Sequence, residues 1–185
     1  MRYKIGIVTV GAALLCGIVW AAFFFASPGT AREDEVPVAY TARLYIPSIG
    51  VDALIEDMGI TPAGAMETPE GPDNVGWYSL GSRPGEVGTA TIAGHRGWKN
   101  GSAAVFDHLD ALRKGDVIQV MNSSGELDSF IVRETRVYGR DEYAPEVFVS
   151  SDGTHLNLIT CVGDWDRSLK TSAERLVVFT DKISP

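Results

Sequence analysis

The chain has 185 residues, which is room for one domain of ordinary size and a short appendage. It carries 24 acidic and 16 basic residues, for a net charge of −8. Without Arg2 and Lys4, 14 basic residues face all 24 acidic ones, and this net charge of −10 argues against nucleic acid or anionic lipid headgroups as partners. The chain has only two cysteines, Cys16 and Cys161, so we expect no disulfide framework to stabilise the domain.

Residues 5–26 contain no charged side chain and are long enough, at 22 residues, to span a bilayer core of about 30 Å as a helix. Arg2 and Lys4 precede this segment, so residues 1–4 are predicted to be cytoplasmic and the rest extracytoplasmic. A cleaved signal peptide is the alternative, which the length of the apolar segment disfavours. The sequence therefore predicts a single-pass protein of the cell membrane.

Residues 27–42 combine Pro, Gly and a charge cluster and are predicted to be a linker, so the folded domain is expected to span 43–185. Short runs of alternating or apolar residues separated by turn residues predict a mainly β domain, either a barrel or a sandwich. Helical spacing of apolar residues over 103–112 predicts one short helix. The main predicted strands are 43–46, 51–56, 89–93, 117–120, 130–137, 156–161 and 176–179.

Cys161 ends one of the predicted strands and is the single thiol of the extracytoplasmic part, which makes it a candidate nucleophile. A thiol needs a neighbouring base or cation to be activated. Among the three histidines, His95 stands where a strand gives way to a Gly-containing loop, a common place for functional residues. His108 is expected at the rim of the predicted helix, and His155 at the start of the Cys161 strand, too far away to assist.

Arg175 opens the strand that follows Cys161. If the two strands are antiparallel neighbours, both residues lie at the same end of the sheet, and Arg175 could stabilise an oxyanion. A surface arginine paired with Glu174 is the alternative, and Arg96 and Arg167 are other candidate cations. The spacing of Cys and His residues does not fit a zinc site, and we predict no metal or cofactor.

Three segments together resemble the sortases, the cysteine transpeptidases of the bacterial cell surface. They are Thr-Ile-Ala-Gly-His-Arg at 91–96, Leu-Ile-Thr-Cys at 158–161 and Arg-Leu-Val-Val-Phe at 175–179. The likeness covers about residues 43–183 and includes the order of the segments and the predicted anchor. It is closest to the compact, non-pilus types, including classes D, E and F.

The resemblance implies a closed eight-stranded β-barrel with one or two short helices. It implies that Cys161 is the nucleophile, His95 the general acid/base, Arg175 the oxyanion or substrate stabiliser and Thr160 a substrate-binding residue. Residues 162–174 would form a mobile specificity loop. The implied substrate is a sorting signal similar to Leu-Pro-x-Thr-Gly (LPxTG), cut between Thr and Gly. The acyl group would pass to an amine of a peptidoglycan precursor or a pilin lysine.

Two other functions use the same residues differently. An exported cysteine peptidase would release the acyl group to water. A non-catalytic surface β-domain would hold Cys161 as a buried small hydrophobic residue. The Ser-His-Gly-Cys-like pattern typical of L,D-transpeptidases is absent around Cys161.

Overall fold

Eight β-strands close into a barrel in the computed structural model, which describes residues 42–168 and 171–183 of a unit spanning Pro37–Pro185. The order around the barrel is β1-β2-β3-β4-β7-β8-β6-β5. The prediction of a mainly β, closed eight-stranded fold is therefore confirmed. The strands are β1 (Arg43–Ile46), β2 (Val51–Met58), β3 (Val75–Tyr78), β4 (Gly88–Ala93), β5 (Val117–Met121), β6 (Leu127–Gly139), β7 (Thr154–Asp166) and β8 (Thr171–Lys182).

The direction of three neighbouring strands decides where the candidate residues meet. Strand β4 runs parallel to β7, and β7 runs antiparallel to β8. The ends of β4 and β7 and the beginning of β8 therefore lie at the same end of the barrel. Parallel neighbours need a long crossover connection, and here the chain between β4 and β7 also contributes β5 and β6.

Alternation along β7 and β8 divides their side chains between two apolar clusters. Leu156 and Leu158 point into the barrel and are fully buried, each burial being worth about 1.5–3 kcal/mol. Ile159 and Val177 belong instead to a second cluster on the outer face. That outer cluster is completed by Tyr138, Ala144, Val147, Phe148 and Phe179.

The predicted helix over 103–112 is wrong, because this segment forms turns and a single 3-10 helix, Leu109–Ala111. Its internal hydrogen bonds span three residues rather than four: Leu109 N–H donates to Phe106 O at 3.2 Å and Ala111 N–H to His108 O at 2.9 Å. Before them, Val105 N–H donates to Pro72 O at 2.8 Å and Phe106 N–H to His95 O at 2.9 Å, and the apolar side chains remain buried. The described residues form no α-helix, and their other 3-10 helices are Pro47–Ile49, Lys99–Gly101 and Pro145–Val147.

The predicted loop over 162–174 is also mostly wrong. Strand β7 continues to Asp166 and β8 begins at Thr171, so the two form a long hairpin with an irregularity between Val162 and Trp165. In the part of the chain that the structure describes, no helix has the length and hydropathy needed to cross a bilayer. The predicted anchor at 5–26 lies outside the described residues, as does the linker up to residue 41, and both stay predictions.

Candidate active site

Cys161, Arg175 and His95 lie on or just beyond three adjacent strands at one end of the barrel. Cys161 is the direct partner of Arg175 in the antiparallel ladder between β7 and β8. On the other side, the parallel ladder pairs Ala93 with Ile159, and the next residue, Gly94, donates its N–H to Ile159 O at 3.1 Å. His95 and Cys161 are each two residues beyond that last pair. With strands about 4.8 Å apart, the sheet brings the three candidates together.

A groove of about 630 Å³ is lined by Cys161 and by the three residues predicted to act with it. Cys161 is a free thiol and is only partly buried, and it lines this groove with His95, Thr160 and Arg175. A thiol that lines a groove can be reached by a substrate, which a fully buried structural cysteine cannot.

The ring of His95 is fixed by the connection between β2 and β3. Its Nε2 lies 2.7 Å from Pro69 O, and its ring centroid lies 4.8 Å from that of Trp98. A carbonyl oxygen only accepts hydrogen bonds, so Nε2 carries a hydrogen in this arrangement. Nδ1 is then the nitrogen that is left to exchange a proton with a reacting group.

Gly94 lies where the chain leaves β4 for the loop that carries His95. A Cβ at Gly94 would lie 2.5 Å from Phe106 Cδ2, closer than real Cβ contacts allow. Phe106 is fully buried, and its N–H bonds to His95 O. The glycine therefore permits the close packing that holds the backbone of His95 in place.

The guanidinium of Arg175 is held by hydrogen bonds to the beginning of its own strand. Nη1 donates to Ser172 O and to Glu174 O, both at 2.9 Å, and Nη2 donates to Thr171 Oγ1 at 2.8 Å. None of the salt bridges found among the described residues involves Arg175, so its alternative as a surface partner of the Glu174 carboxylate is not observed. The site thus contains a fixed cation with a rigid set of donors.

The positive charge of Arg175 also acts on the far wall of the groove. Hydrogen bonds from the Arg140 guanidinium hold the pKa of the Asp141 carboxyl below its usual range, and the charge of Arg175 adds a smaller contribution. Arg140, Asp141 and Arg175 all line the groove. This end of the groove is therefore charged, whereas its floor is apolar.

Thr160 lines the groove, but its hydroxyl is buried and bonded to the neighbouring strand. Its side chain is 3% exposed, and Oγ1 donates a hydrogen bond of 2.8 Å to Gly94 O. This bond joins the residue before Cys161 to the residue before His95. In this arrangement the Thr160 hydroxyl links the two strands that carry the candidate thiol and imidazole.

The walls of the groove were not predicted from the sequence. One wall comes from the connection between β2 and β3, and the other from the connection between β6 and β7. The available signal was the apolar character of Ile159 and Val177, which alternate with interior residues and so had to face outward. An apolar outer face on a barrel indicates a covered or ligand-binding surface. The wall residues include Ala65, Met66, Thr68, Tyr138, Ala144 and Phe148.

The other candidates lie apart from the groove. His155 lies near the start of β7, between Asp181, 2.9 Å from Nδ1, and Asp152, 3.0 Å from Nε2. Arg96 pairs with Asp110 at 2.9 Å. His108 is exposed, as predicted, and Arg167 is exposed beyond the end of β7. The described residues contain no group of three or more His, Cys, Asp or Glu side chains that could hold a metal ion.

Known protein structures share the fold of this barrel. The family model described as "Sortase domain" matches residues 44–183, whereas no curated protein matches the sequence. Sortase C-1 from Actinomyces oris is 26% identical, with a TM-score of 0.62 over 78% of this chain and 74% of that chain. Sortase D5 from Clostridium perfringens is 24% identical, with a TM-score of 0.58 over 78% and 79%.

A lid mutant of sortase A from Corynebacterium diphtheriae is 23% identical, with a TM-score of 0.60 over 80% of this chain and 72% of that chain. The three structures carry the names of sortases C, D and A, so the shared feature is the family fold rather than one class. The family model covers about three quarters of the sequence. This chain belongs to the sortase family, whose members are cysteine transpeptidases.

Proposed function

We propose that this protein cleaves an LPxTG-like sorting signal between Thr and Gly and transfers the acyl group to an amine. The observation that carries the proposal is the placement of Cys161, His95 and Arg175 on neighbouring strands beside one groove. A groove with an apolar floor suits an extended peptide with an apolar anchor, and the thiol lies where a scissile carbonyl can reach it.

In the first half of the proposed reaction, the Cys161 thiolate attacks the carbonyl carbon of the substrate threonine. The resulting oxyanion is stabilised by the guanidinium of Arg175, whose other donors already hold it in place. The imidazolium of His95 gives its Nδ1 proton to the leaving glycine nitrogen. The C–N bond breaks, and the acyl group remains on Cys161 as a thioester.

In the second half, an amine attacks the thioester carbonyl and forms a new C–N bond. His95 accepts the proton that the nitrogen loses, and the C–S bond breaks to release the Cys161 thiolate. Because one amide replaces another, the exchange needs no separate energy source. The proposed acceptor is either an amine of a peptidoglycan precursor or a pilin lysine.

The proposed location is the cell membrane, with the barrel on the outer side. The uncharged segment at 5–26 and the preceding Arg2 and Lys4 support this orientation. A membrane anchor would keep the groove near the surface at which sorting signals emerge during export. We also propose that the protein is a sortase of the compact, non-pilus type.

The test is product mass spectrometry with a library of sorting peptides, each incubated with and without candidate amines. The proposal expects cleavage between Thr and Gly and a ligated product when an amine is present. Release of the free acid alone, with no ligated product for any amine, would identify an exported cysteine peptidase instead. No cleavage of any LPxTG-like peptide would overturn the assignment of the sorting signal.

A further inference from the structure

Cys161 forms part of the lining of two cavities, not one. Beside the groove already described, a second cavity of about 560 Å³ lies against the same strand, and Trp165 also lines both. A transpeptidase must admit two substrates to one sulfur atom. Once the acyl donor fills the groove, the acceptor needs another route to the thioester carbonyl, and the second cavity provides one.

The second cavity contains the carboxylate of Asp107, in which hydrogen bonds hold one of the two oxygens. Asp107 Oδ1 accepts hydrogen bonds from Gly97 N–H at 2.5 Å and from Ala104 N–H at 3.1 Å. Within 42–168 and 171–183, no donor bonds to its Oδ2. The two backbone bonds orient the carboxylate, so Oδ2 can receive a further donor without the cost of ordering the side chain.

Among the described residues that line this cavity, Asp107 is a carboxylate with no salt-bridge partner. The guanidinium of Arg96 is paired with Asp110 at 2.9 Å, so its positive charge is offset. The exposed imidazole of His108 lines the same cavity, and among the described residues it has no hydrogen-bond partner. A cavity with an unused carboxylate oxygen and an imidazole acceptor suits a ligand that carries several N–H donors and a positive charge.

We propose that this second cavity binds the acceptor as a primary alkylammonium ion, with Asp107 Oδ2 as its anchor. This inference rests on the proposed transpeptidase function and specifies the acceptor side of it. The acceptor enters as R–NH₃⁺ and loses one proton to water. The neutral amine then forms the C–N bond at the thioester carbonyl, its second proton passes to His95, and the C–S bond breaks.

The substitution Asp107→Asn separates this function from the structural role of the side chain. The amide oxygen of Asn can still accept the two backbone bonds, so the loop keeps its support. The amide nitrogen replaces Oδ2 with a donor and removes the negative charge. Asp116→Asn is the matched control, because Asp116 Oδ2 also accepts a backbone N–H, from Arg113 at 2.8 Å, but Asp116 lines neither cavity.

The experiment uses the full-length chain, an LPxTG-like donor peptide and three acceptors. Triglycine represents a peptidoglycan-type amine and Nα-acetyl-lysine amide a pilin-type amine, and both are mainly protonated at neutral pH. Hydroxylamine is mostly uncharged there and needs no anion for binding. We expect Asp107→Asn to raise the KM for at least one ammonium acceptor about ten- to a hundredfold, with hydroxylamine turnover unchanged.

An effect on only one of the two ammonium acceptors supports the inference and identifies the source of the amine. Unchanged KM values for both would overturn it, as would an equal loss with hydroxylamine, which indicates a structural effect on the thioester site. A full effect of Asp116→Asn would overturn it too. If the wild-type chain forms no acyl-enzyme with any peptide, the proposed function itself fails, which is a distinguishable result.

Discussion

The Thr160 hydroxyl donates a 2.8 Å hydrogen bond to Gly94 O, and so joins the residue before the candidate nucleophile to the residue before the candidate base. The bond is buried and spans two strands whose regular ladder ends one residue earlier, at Ala93 and Ile159. It fixes the separation between β4 and β7 at the point where the chemistry is proposed.

Removing this hydroxyl should damage both stability and turnover. We expect Thr160→Val to lower the free energy of unfolding by about 1–3 kcal/mol, because the Gly94 carbonyl loses a buried donor. Thr160→Ser keeps the donor and should retain most of the activity. Denaturant unfolding and kcat on a fluorogenic sorting peptide measure the two effects, and equal losses in the Val and Ser variants would contradict this role of the hydroxyl.

A methyl group at Gly94 should disturb the placement of His95 through Phe106. We expect Gly94→Ala to cost about 1–3 kcal/mol, because the new Cβ overlaps the buried Phe106 ring. Phe106→Leu in the same chain should recover part of that loss, and a double-mutant cycle by denaturant unfolding measures the coupling. Gly71→Ala is the control, since a Cβ there meets nothing within 4 Å. Strict additivity of the two changes would rule out the proposed clash.

We expect that a lysine at position 175 cannot perform the catalytic role proposed for Arg175. The guanidinium uses Nη1 and Nη2 for three bonds to Ser172, Glu174 and Thr171, and one ammonium cannot keep that orientation. We expect Arg175→Lys to lower kcat by about 10²–10³, as for the loss of one oxyanion donor, with a smaller change in KM. The measurement is steady-state cleavage of a sorting peptide. A near-normal kcat would remove Arg175 from the proposed mechanism.

The pair Tyr138 and Glu146 should make the groove wall sensitive to pH at both extremes. Tyr138 OH donates to Glu146 Oε1 at 2.9 Å. Hydrogen bonding to its backbone and from Tyr138 lowers the pKa of Glu146, so its contribution to stability is lost as pH falls below about 4. Burial and the Glu146 bond raise the pKa of Tyr138, so that contribution is lost as pH rises above about 10.

Tyr138→Phe removes the titrating phenol and the bond, so it should reduce the slope of the alkaline limb of the pH–stability curve and, to a smaller extent, that of the acid limb, because the backbone bond of Glu146 remains. Thermal unfolding from pH 3 to pH 11, compared between wild type and variant, measures this. Tyr143→Phe is the matched control, because Tyr143 is 88% exposed. Identical curves for wild type and Tyr138→Phe would show that the pair contributes nothing to the pH dependence.

The sequence predicted the parts of β7 and β8 that are rich in apolar residues. The segments 156–161 and 176–179 are mainly apolar, and the antiparallel pairing considered for them is found, with Cys161 and Arg175 directly opposite each other. Beyond Cys161, residues such as Asp164 and Trp165 are exposed. The strand continues there without an apolar pattern, so periodicity could not reveal it.

The helix predicted over 103–112 failed for a different physical reason. Phe106, Leu109 and Leu112 recur every three residues and are buried, but this spacing fits successive turns as well as a helix. The N–H groups of Leu109 and Ala111 donate to the carbonyl three residues earlier, as in turns and 3-10 helices, instead of four residues earlier. The N–H groups of Val105 and Phe106 donate to Pro72 O and His95 O, which belong to other parts of the chain, so a local pattern could not predict these contacts.

Intact-protein mass spectrometry of the acyl-enzyme tests directly whether Cys161 is the nucleophile. The full-length chain is mixed with an LPxTG-like peptide, without an acceptor, and quenched in acid. We expect an added mass equal to the acyl part of the peptide up to threonine, mapped to Cys161 and absent from Cys161→Ala. His95→Ala and Arg175→Ala should form the adduct much more slowly. An adduct that persists in Cys161→Ala, or peptide cleavage at full rate in that variant, would show that Cys161 is not the nucleophile.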